Sequence, residues 1–275
     1  MLIAMAATGD DLMDKVASVL QDVSHDVIEP RFERLHQDDI RFKSPREVVT
    51  VADELAERQL KARLGELVPD ALFVGEEAFS DGSGLPPALR HQRIWLVDPL
   101  DGTANFVSGS PHWAVMAALV QDGETCAAWI WQPVRKAMYR AEVGAGATRN
   151  GVTIERSRAP SAPGGLRGAV LTKFLDARTA ERVDERRRAF GSVGPGTTSA
   201  GVDYPMVADG EQDFVMFWRT LPWDHAPGAL VVEESGGCVR RLDGRPYAPR
   251  HPGVGLLAAA STETWQVVRD ALLGD

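Results

Sequence analysis

The chain has 275 residues, of which 44% are hydrophobic and 25% are charged, and its formal net charge is −9. This composition is ordinary for a globular enzyme made of one large domain or two small ones. The negative charge opposes binding to nucleic acids and acidic membranes. The sequence contains no run of about 18 apolar residues, so a membrane span is not expected.

The first half of the chain is predicted to mix helices with strands. Its apolar start, Met1 to Thr8, lacks the basic residues of a signal peptide. Apolar residues at helical spacing predict an amphipathic helix over Leu12 to Val23 and a second helix from about Asp53. Ser80 to Pro87 is rich in glycine, serine and proline and is predicted to be a surface loop. Strands are predicted at residues 71–74 and 94–97, followed by an antiparallel meander of three apolar runs at 113–120, 126–131 and 137–143.

The second half alternates between strands and helices. It follows a segment rich in proline and glycine, Ser157 to Gly165, which is the best candidate linker. The predicted strands and helices cover residues 169–171, 177–190, 199–208, 214–218, 224–235, 256–259 and 262–273. Such alternation is typical of an α/β architecture. We therefore predict an α+β half over residues 1–156 and an α/β half over residues 157–275.

Two cysteines, Cys126 and Cys238, both occur in apolar runs without metal-ligand spacing. This usage favours reduced thiols in a cytoplasmic protein over a zinc site or a disulfide framework.

Carboxylates are placed where predicted strands end. Glu76 ends one strand, Asp98 ends the next, and Asp101 follows three residues later. Pro99 stiffens the turn between the two aspartates, so they converge and cannot both stay ionised cheaply without a cation. Carboxylates combined with a substrate phosphate are the ligands that Mg²⁺ prefers.

The residues after Asp101 are suited to an anion. If Gly102 and Thr103 open a helix or tight turn, their N–H groups can hold a phosphate next to the metal ligands, as metal-assisted phosphoryl hydrolysis requires. Taken singly, an aspartate before Gly-Thr is more often a turn or a cap, and Asp224 before Ala226-Pro227 could be an ordinary N-cap.

Taken together, these segments resemble the inositol monophosphatase family, and the resemblance covers nearly the whole chain. The segments that carry it, in chain order, are KSP (43–45), VTVAD (49–53), GEE (75–77), WLVDPLDGTANF (95–106), PVR (133–135), NG (150–151), TSA (198–200) and WDHAPG (223–228). The resemblance implies a layered α-β-α-β-α sandwich of the inositol monophosphatase and fructose-1,6-bisphosphatase type. It also implies a magnesium-dependent, lithium-sensitive hydrolase that acts on a small phosphate monoester.

The resemblance further implies a role for each matching residue. Glu76, Asp98 and the Leu100 carbonyl would hold one metal ion, and Asp98, Asp101 and Asp224 a second, with two or three Mg²⁺ ions in all. Thr103 and Glu76 would orient the attacking water, and Asp53 would support them through an outer-shell contact or a contact with a third metal ion. The N–H groups of Gly102 and Thr103 would hold the phosphate. Asp101 and Ala200 would contact the substrate. A homodimer is what the family suggests.

One position departs from the family pattern. Inositol phosphatases of this type carry a glutamate seven residues before the last aspartate, where it binds an inositol hydroxyl, and this chain has Phe217. A phenyl ring cannot accept that hydrogen bond, so Phe217 either lines a pocket for another substrate or packs in the core. Trp218 is expected on the other face of the strand.

Three functions therefore stay open. The substrate could be inositol phosphate, or another metabolite such as histidinol phosphate, fructose bisphosphate or a 3′-phosphonucleotide. The third alternative is a catalytically silent metal-binding dimer.

Overall fold

The structure is a computed structural model, and it describes residues 9–44, 47–79, 93–156, 158–251 and 253–274. The predicted loop Ser80 to Pro87, the segment Met1 to Thr8 and the first linker residue, Ser157, lie outside these ranges. Within them, no helix combines the length and apolar character needed to cross a membrane.

Eight α-helices occur among the described residues. They are α1 Asp10–Val23, α2 Val51–Leu67, α3 Glu76–Phe79, α4 Thr103–Val107, α5 Ala177–Arg186, α6 Ala200–Ala208, α7 Pro222–Glu234 and α8 Thr262–Leu273. The predicted helix at 177–190 ends earlier, because residues 187–189 tighten into a 3₁₀ turn. The predicted helix at 224–235 begins two residues earlier, which places Asp224 inside its first turn rather than at its cap.

The same described ranges contain fourteen β-strands. They are β1 Ile40–Ser44, β2 Glu47–Thr50, β3 Leu72–Gly75, β4 Arg93–Asp101, β5 Ala114–Gln121, β6 Glu124–Gln132, β7 Ala137–Glu142, β8 Gly146–Arg149, β9 Val152–Thr153, β10 Arg167–Val170, β11 Ser192–Gly194, β12 Phe214–Phe217, β13 Cys238–Arg241 and β14 Leu256–Ala259. The strands β1 and β2 form a separate hairpin that the sequence patterns did not predict.

The other strands form two sheets. The first has seven strands in the order β3-β4-β5-β6-β7-β8-β9, and apart from the parallel pair β3–β4 it is antiparallel. Its central part is the predicted meander, which the structure confirms. The second sheet has the order β11-β10-β12-β14-β13 and mixes parallel with antiparallel pairs. The chain passes from the first sheet to the second between Thr153 and Arg167; the division at residue 156 stays a prediction.

Three apolar clusters show how the layers are stacked. Side chains such as Trp95 and Trp129 on one face of the seven-stranded sheet pack against α1 and α2. The opposite face packs on α6 and α7, which in turn cover one face of the five-stranded sheet. The far face of that sheet is covered by α5 and α8, with Val183 and Val268 in the contact. The order of layers is thus helix, sheet, helix, sheet, helix, as predicted.

Candidate active site

The aspartate loop lies at the carboxyl end of β4. The predicted strand at 94–97 continues to Asp101, and its pairing with β5 is irregular between Asp98 and Asp101. Pro99 lies in this irregularity, and a proline cannot donate a hydrogen bond to a neighbouring strand. The Leu100 N–H donates to Asp98 Oδ1 at 3.0 Å, which closes a tight turn around the bulge. Both aspartates are buried as a result.

Three carboxylates meet at this loop. Oxygen atoms of Glu76, Asp98 and Asp224 all lie within 4.8 Å of one another. Glu76 is the first residue of α3, immediately after β3, and Asp224 lies in the first turn of α7. Strand ends and a helix start from three parts of the chain therefore place three acidic groups at one point.

Burial and mutual repulsion shape the acidity of this group. Burial raises the pKa of Asp98 well above its ordinary value, and the nearby charges of Glu76, Asp101 and Asp224 raise it further. Burial, followed by the charges of Glu76 and Asp101, also raises the pKa of Asp224. A bound cation would neutralise these buried, mutually repelling carboxylates and so remove the cause of their raised pKa values. Their oxygen atoms are the hard ligands that a divalent cation such as Mg²⁺ prefers.

Asp101 does not join the group of three. The Ala200 and Gly201 N–H groups donate to its carboxylate at 3.2 and 2.7 Å, and the Ser199 hydroxyl donates a third, short hydrogen bond. Burial raises the pKa of Asp101 to about 6 although these three hydrogen bonds oppose the change. Asp101 thus attaches the aspartate loop to the start of α6, and its role as a metal ligand stays a prediction.

Lys43, on β1, supplies a positive charge to this acidic region. Its Nζ lies 3.1 Å from Glu76 Oε1 and 2.8 Å from Glu77 Oε1, and its side chain is only 14% exposed. Burial alone lowers the pKa of Lys43, but the charges of Glu76 and Glu77 more than reverse that effect. Sequence reasoning matched Lys43 to the family pattern but gave it no role.

Glu57 holds the turn that carries Glu76, and sequence reasoning missed it. The Glu77 and Ala78 N–H groups donate to its two carboxylate oxygens at 2.8 and 3.0 Å. Gly75 leaves room for this contact, because a Cβ there would lie 2.2 Å from Glu57 Oε2. Glu57 follows Asp53 by one helical turn on α2, and this i, i+4 spacing was the available signal.

Asp53 connects α2 with the aspartate loop. Its Oδ2 accepts hydrogen bonds from the Thr50 N–H and hydroxyl at 2.8 and 2.6 Å, as in a capping box. Its Oδ1 lies 2.9 Å from Thr103 Oγ1, which is also 3.0 Å from the Leu100 carbonyl oxygen. Burial raises the pKa of Asp53 to about 6, against the hydrogen bonds that it accepts. The structure thus brings the predicted pair Asp53 and Thr103 into direct contact.

Gly102 caps α4 in a conformation that favours glycine. Its φ is +85°, and a Cβ would lie 2.7 Å from the His112 carbonyl oxygen. The first residues of α4, starting with Thr103, have N–H groups that the helix itself cannot satisfy. Their use by a phosphate stays a prediction.

A cleft of about 290 Å³ opens beside Asp101 and Asp224. The predicted substrate residues Phe217 and Ala200 also line it. Phe217 lines the cleft and also packs between Tyr204 and His225, with ring centroids 4.8 Å away in each case. Its contact with a substrate stays a prediction. Trp218, expected on the other face, also lines the cleft, because β12 ends at Phe217 and the alternation of side chains ends with it.

His225, which also lines this cleft, is held as a neutral ring. Its Nε2 lies 2.9 Å from the Arg219 carbonyl oxygen, which can only accept, so Nε2 carries the proton. Nδ1 therefore accepts from the Tyr204 hydroxyl at 2.9 Å. Burial lowers the pKa of His225 to about 4. Both ring nitrogens of His225 thus have partners within the protein, which leaves neither free to bind a metal ion in this geometry.

A layered α-β-α-β-α fold with an acidic cluster and a threonine at the junction of its two sheets defines a class of phosphatases. The sequence matches the inositol monophosphatase family over residues 10–272. It is 34% identical over 219 residues to the Nus factor SuhB of Pseudomonas aeruginosa, covering 77% of this chain and 79% of that protein. It is 30% identical over 200 residues to a fructose-1,6-bisphosphatase/inositol-1-monophosphatase of Thermotoga maritima, covering 73% of each.

The fold agrees with these similarities. A solved inositol monophosphatase from Zymomonas mobilis superposes with a TM-score of 0.78 at 26% identity, over 98% of this chain and 99% of that one. The chain belongs to the inositol monophosphatase family and is a phosphoric monoester hydrolase of that family.

Proposed function

We propose that this protein hydrolyses a small-molecule phosphate monoester with the help of two or three Mg²⁺ ions. Glu76, Asp98 and Asp224 would hold the ions together with the Leu100 carbonyl and Asp101. The convergence of the first three carboxylates within 4.8 Å is the observation that carries the proposal. Bound Mg²⁺ would lower the pKa of a coordinated water and offset the charge of the phosphate.

The residues around the cluster supply position and orientation. The Thr103 hydroxyl donates its one proton to Asp53 or to the Leu100 carbonyl oxygen, and in either case the Thr103 oxygen can accept a hydrogen bond from water. Thr103 and Glu76 would together aim that water at phosphorus, while the N–H groups of Gly102 and Thr103 hold the phosphate oxygens. The water oxygen bonds to phosphorus as the ester P–O bond breaks. The alcohol leaves with a proton that comes from the water, and inorganic phosphate remains.

Inositol 1-phosphate is the reference substrate, because relatives carry inositol monophosphatase in their names. Phe217 favours other esters, since it lines the cleft without a hydrogen-bond acceptor. Histidinol phosphate, fructose bisphosphate and a 3′-phosphonucleotide therefore stay candidates. We further propose lithium sensitivity, a homodimer and a cytoplasmic location, the last supported by two free, buried cysteines.

A role exerted through protein partners is the alternative from another class. One relative is named as a Nus factor. A chain that acts only through partners needs neither three converging carboxylates nor the Asp53–Thr103 pair, and this chain has both.

The test is phosphate release from a panel of metabolite esters by wild type, Asp98→Asn and Asp184→Asn, with and without Mg²⁺. Asp184 is an exposed aspartate on α5 and serves as the matched control. We expect Mg²⁺-dependent turnover that Asp98→Asn abolishes and Asp184→Asn keeps. A folded Asp98→Asn protein with near wild-type turnover would refute the site, and no turnover of any ester by wild type would favour the partner role.

A further inference from the structure

The cleft beside the acidic group is also lined by basic residues. Its lining includes Lys173 and Arg219 in addition to the acidic Asp101 and Asp224. Asp101 and Asp224 belong to the side where the phosphate ester would react. Lys173 and Arg219 come from the segment after β10 and from the loop between β12 and α7. The cleft thus carries both signs of charge.

The Phe174 ring contacts both cationic side chains, Arg219 and Lys173. The Arg219 guanidinium carbon lies 4.5 Å from the centroid of the Phe174 ring, and Lys173 Nζ lies 5.3 Å from the same centroid. A cation over an aromatic face is attracted by the ring, which limits the positions that it occupies. Phe174 also lines the cleft, so the ring and both cations face the same space.

The ion pair between Arg219 and Glu47 occupies only part of the hydrogen-bonding capacity of the guanidinium. It involves Nη1 of Arg219 and joins this loop to β2. A guanidinium has five N–H donors in a planar fork, which suits the two oxygens of a carboxylate or phosphate. The Arg219 side chain remains 37% exposed and forms part of the lining of the cleft.

We propose that Arg219 and Lys173 recognise a second anionic group on the alcohol part of the substrate. This inference rests on the proposed phosphatase function and narrows its substrates. The preferred ester would carry a phosphate or carboxylate besides the phosphate that is cleaved, and a flat or apolar part would lie on Phe217 and Trp218. The second anion binds without reacting and leaves with the alcohol.

Substrate pairs that differ only in the second anion test this inference. Adenosine 3′,5′-bisphosphate is compared with adenosine 3′-monophosphate, and fructose 1,6-bisphosphate with fructose 1-phosphate. For wild type we expect kcat/KM to favour the bisphosphate of at least one pair by about tenfold or more, as a charged hydrogen bond provides. Arg219→Leu should reduce that preference about tenfold, Lys173→Met should reduce it less, and Arg219→Lys should keep part of it.

Glu47→Gln is the control for a purely structural role. It breaks the ion pair with β2 but leaves the Arg219 cation in place, so it should keep the preference for the bisphosphate. A wild type without that preference would overturn the inference, and so would Arg219→Leu and Glu47→Gln variants that lose activity equally on all esters. Failure of the phosphatase function itself is distinguishable, because then neither member of a pair would show Mg²⁺-dependent turnover.

Discussion

Glu57 is the residue whose substitution best tests how the fold positions its acidic site. In Glu57→Gln the side chain keeps its length and one acceptor oxygen, but its NH₂ group must face the N–H of Glu77 or Ala78. One of two hydrogen bonds of 2.8 and 3.0 Å is therefore lost, and a donor stays unsatisfied in a contact where the residue is only 8% exposed. Leaving a buried donor unsatisfied costs about 1–3 kcal/mol.

The hydrogen bond lost in Glu57→Gln should also weaken Mg²⁺ binding. Glu76 directly precedes the two residues whose N–H groups Glu57 binds, so a shift of that turn moves the Glu76 carboxylate. Groups that orient a metal ligand typically change metal affinity or activity by about 10–100-fold when they are substituted. We expect the Mg²⁺ concentration for half-maximal activity to rise by a factor in this range, with a smaller fall in kcat at saturating Mg²⁺.

Two measurements separate the effects. Thermal unfolding in EDTA reports the loss of stability, and calorimetric titration with Mg²⁺ reports affinity without depending on turnover. Glu66→Gln, at an exposed position on the same helix, controls for the change of charge. A Glu57→Gln protein that melts earlier but binds Mg²⁺ like wild type would show that Glu57 only caps α3, and the positioning role would be refuted.

Burial and neighbouring carboxylates raise the pKa of Asp98 in the folded chain, so the folded state binds this proton more tightly than the unfolded state. Its contribution to stability therefore falls as the pH rises above the ordinary carboxyl pKa of about 4. In EDTA, Asp98→Asn should melt above wild type, and by more at pH 8 than at pH 5; an equal gain at both would contradict this. Thr103→Ala should lower kcat about a hundredfold with little change in Mg²⁺ affinity, as expected for a group that orients water; an unchanged kcat would make Thr103 a cap only. Li⁺ and excess Mg²⁺ should slow turnover where Na⁺ at equal ionic strength does not, because an ion that lingers delays product release; indifference to Li⁺ would remove lithium sensitivity from the proposal.

Local patterns in the sequence were sufficient for much of the fold. The runs around Trp113 to Val143 alternate with turn signals, and they form the antiparallel strands β5, β6 and β7 as predicted. Helices with a clear apolar stripe, such as α1, were also predicted. In each of these elements the spacing of apolar residues within a short segment indicates which side chains are buried, and so predicts the element.

The hairpin of β1 and β2 shows where such reasoning stops. Its first strand alternates apolar with charged residues only from Ile40 to Lys43, and the apolar Phe42 is exposed, so this short alternation does not mark a core-facing strand. The two strands pair with each other. The hairpin is connected to the rest of the chain through Lys43, which reaches Glu76, and through Glu47, which reaches Arg219 across 172 residues. Contacts of that range depend on the assembled layers, so no local pattern indicates them.

The acidic residues of the site fall into two groups according to their hydrogen bonds. Asp53, Glu57 and Asp101 each accept two or more hydrogen bonds from the described residues, which offsets part of the cost of their burial and fixes their positions. Among these bonds Asp101 Oδ1 accepts only the one from the Ala200 N–H, so this oxygen keeps a lone pair that a cation could use. Asp98 accepts one, from Leu100, and for Asp224 the described part of the chain provides none.

This division follows from what each group must do. A carboxylate that positions a loop performs best when its lone pairs are occupied by the protein. A carboxylate that binds a cation must keep lone pairs available, and it then carries an uncompensated cost of burial. The raised pKa values of Asp98 and Asp224 express that cost. The buried charges of these two residues lower the stability of the folded chain, and a bound cation would restore it. The binding of Mg²⁺ is therefore linked to the stability of the folded chain.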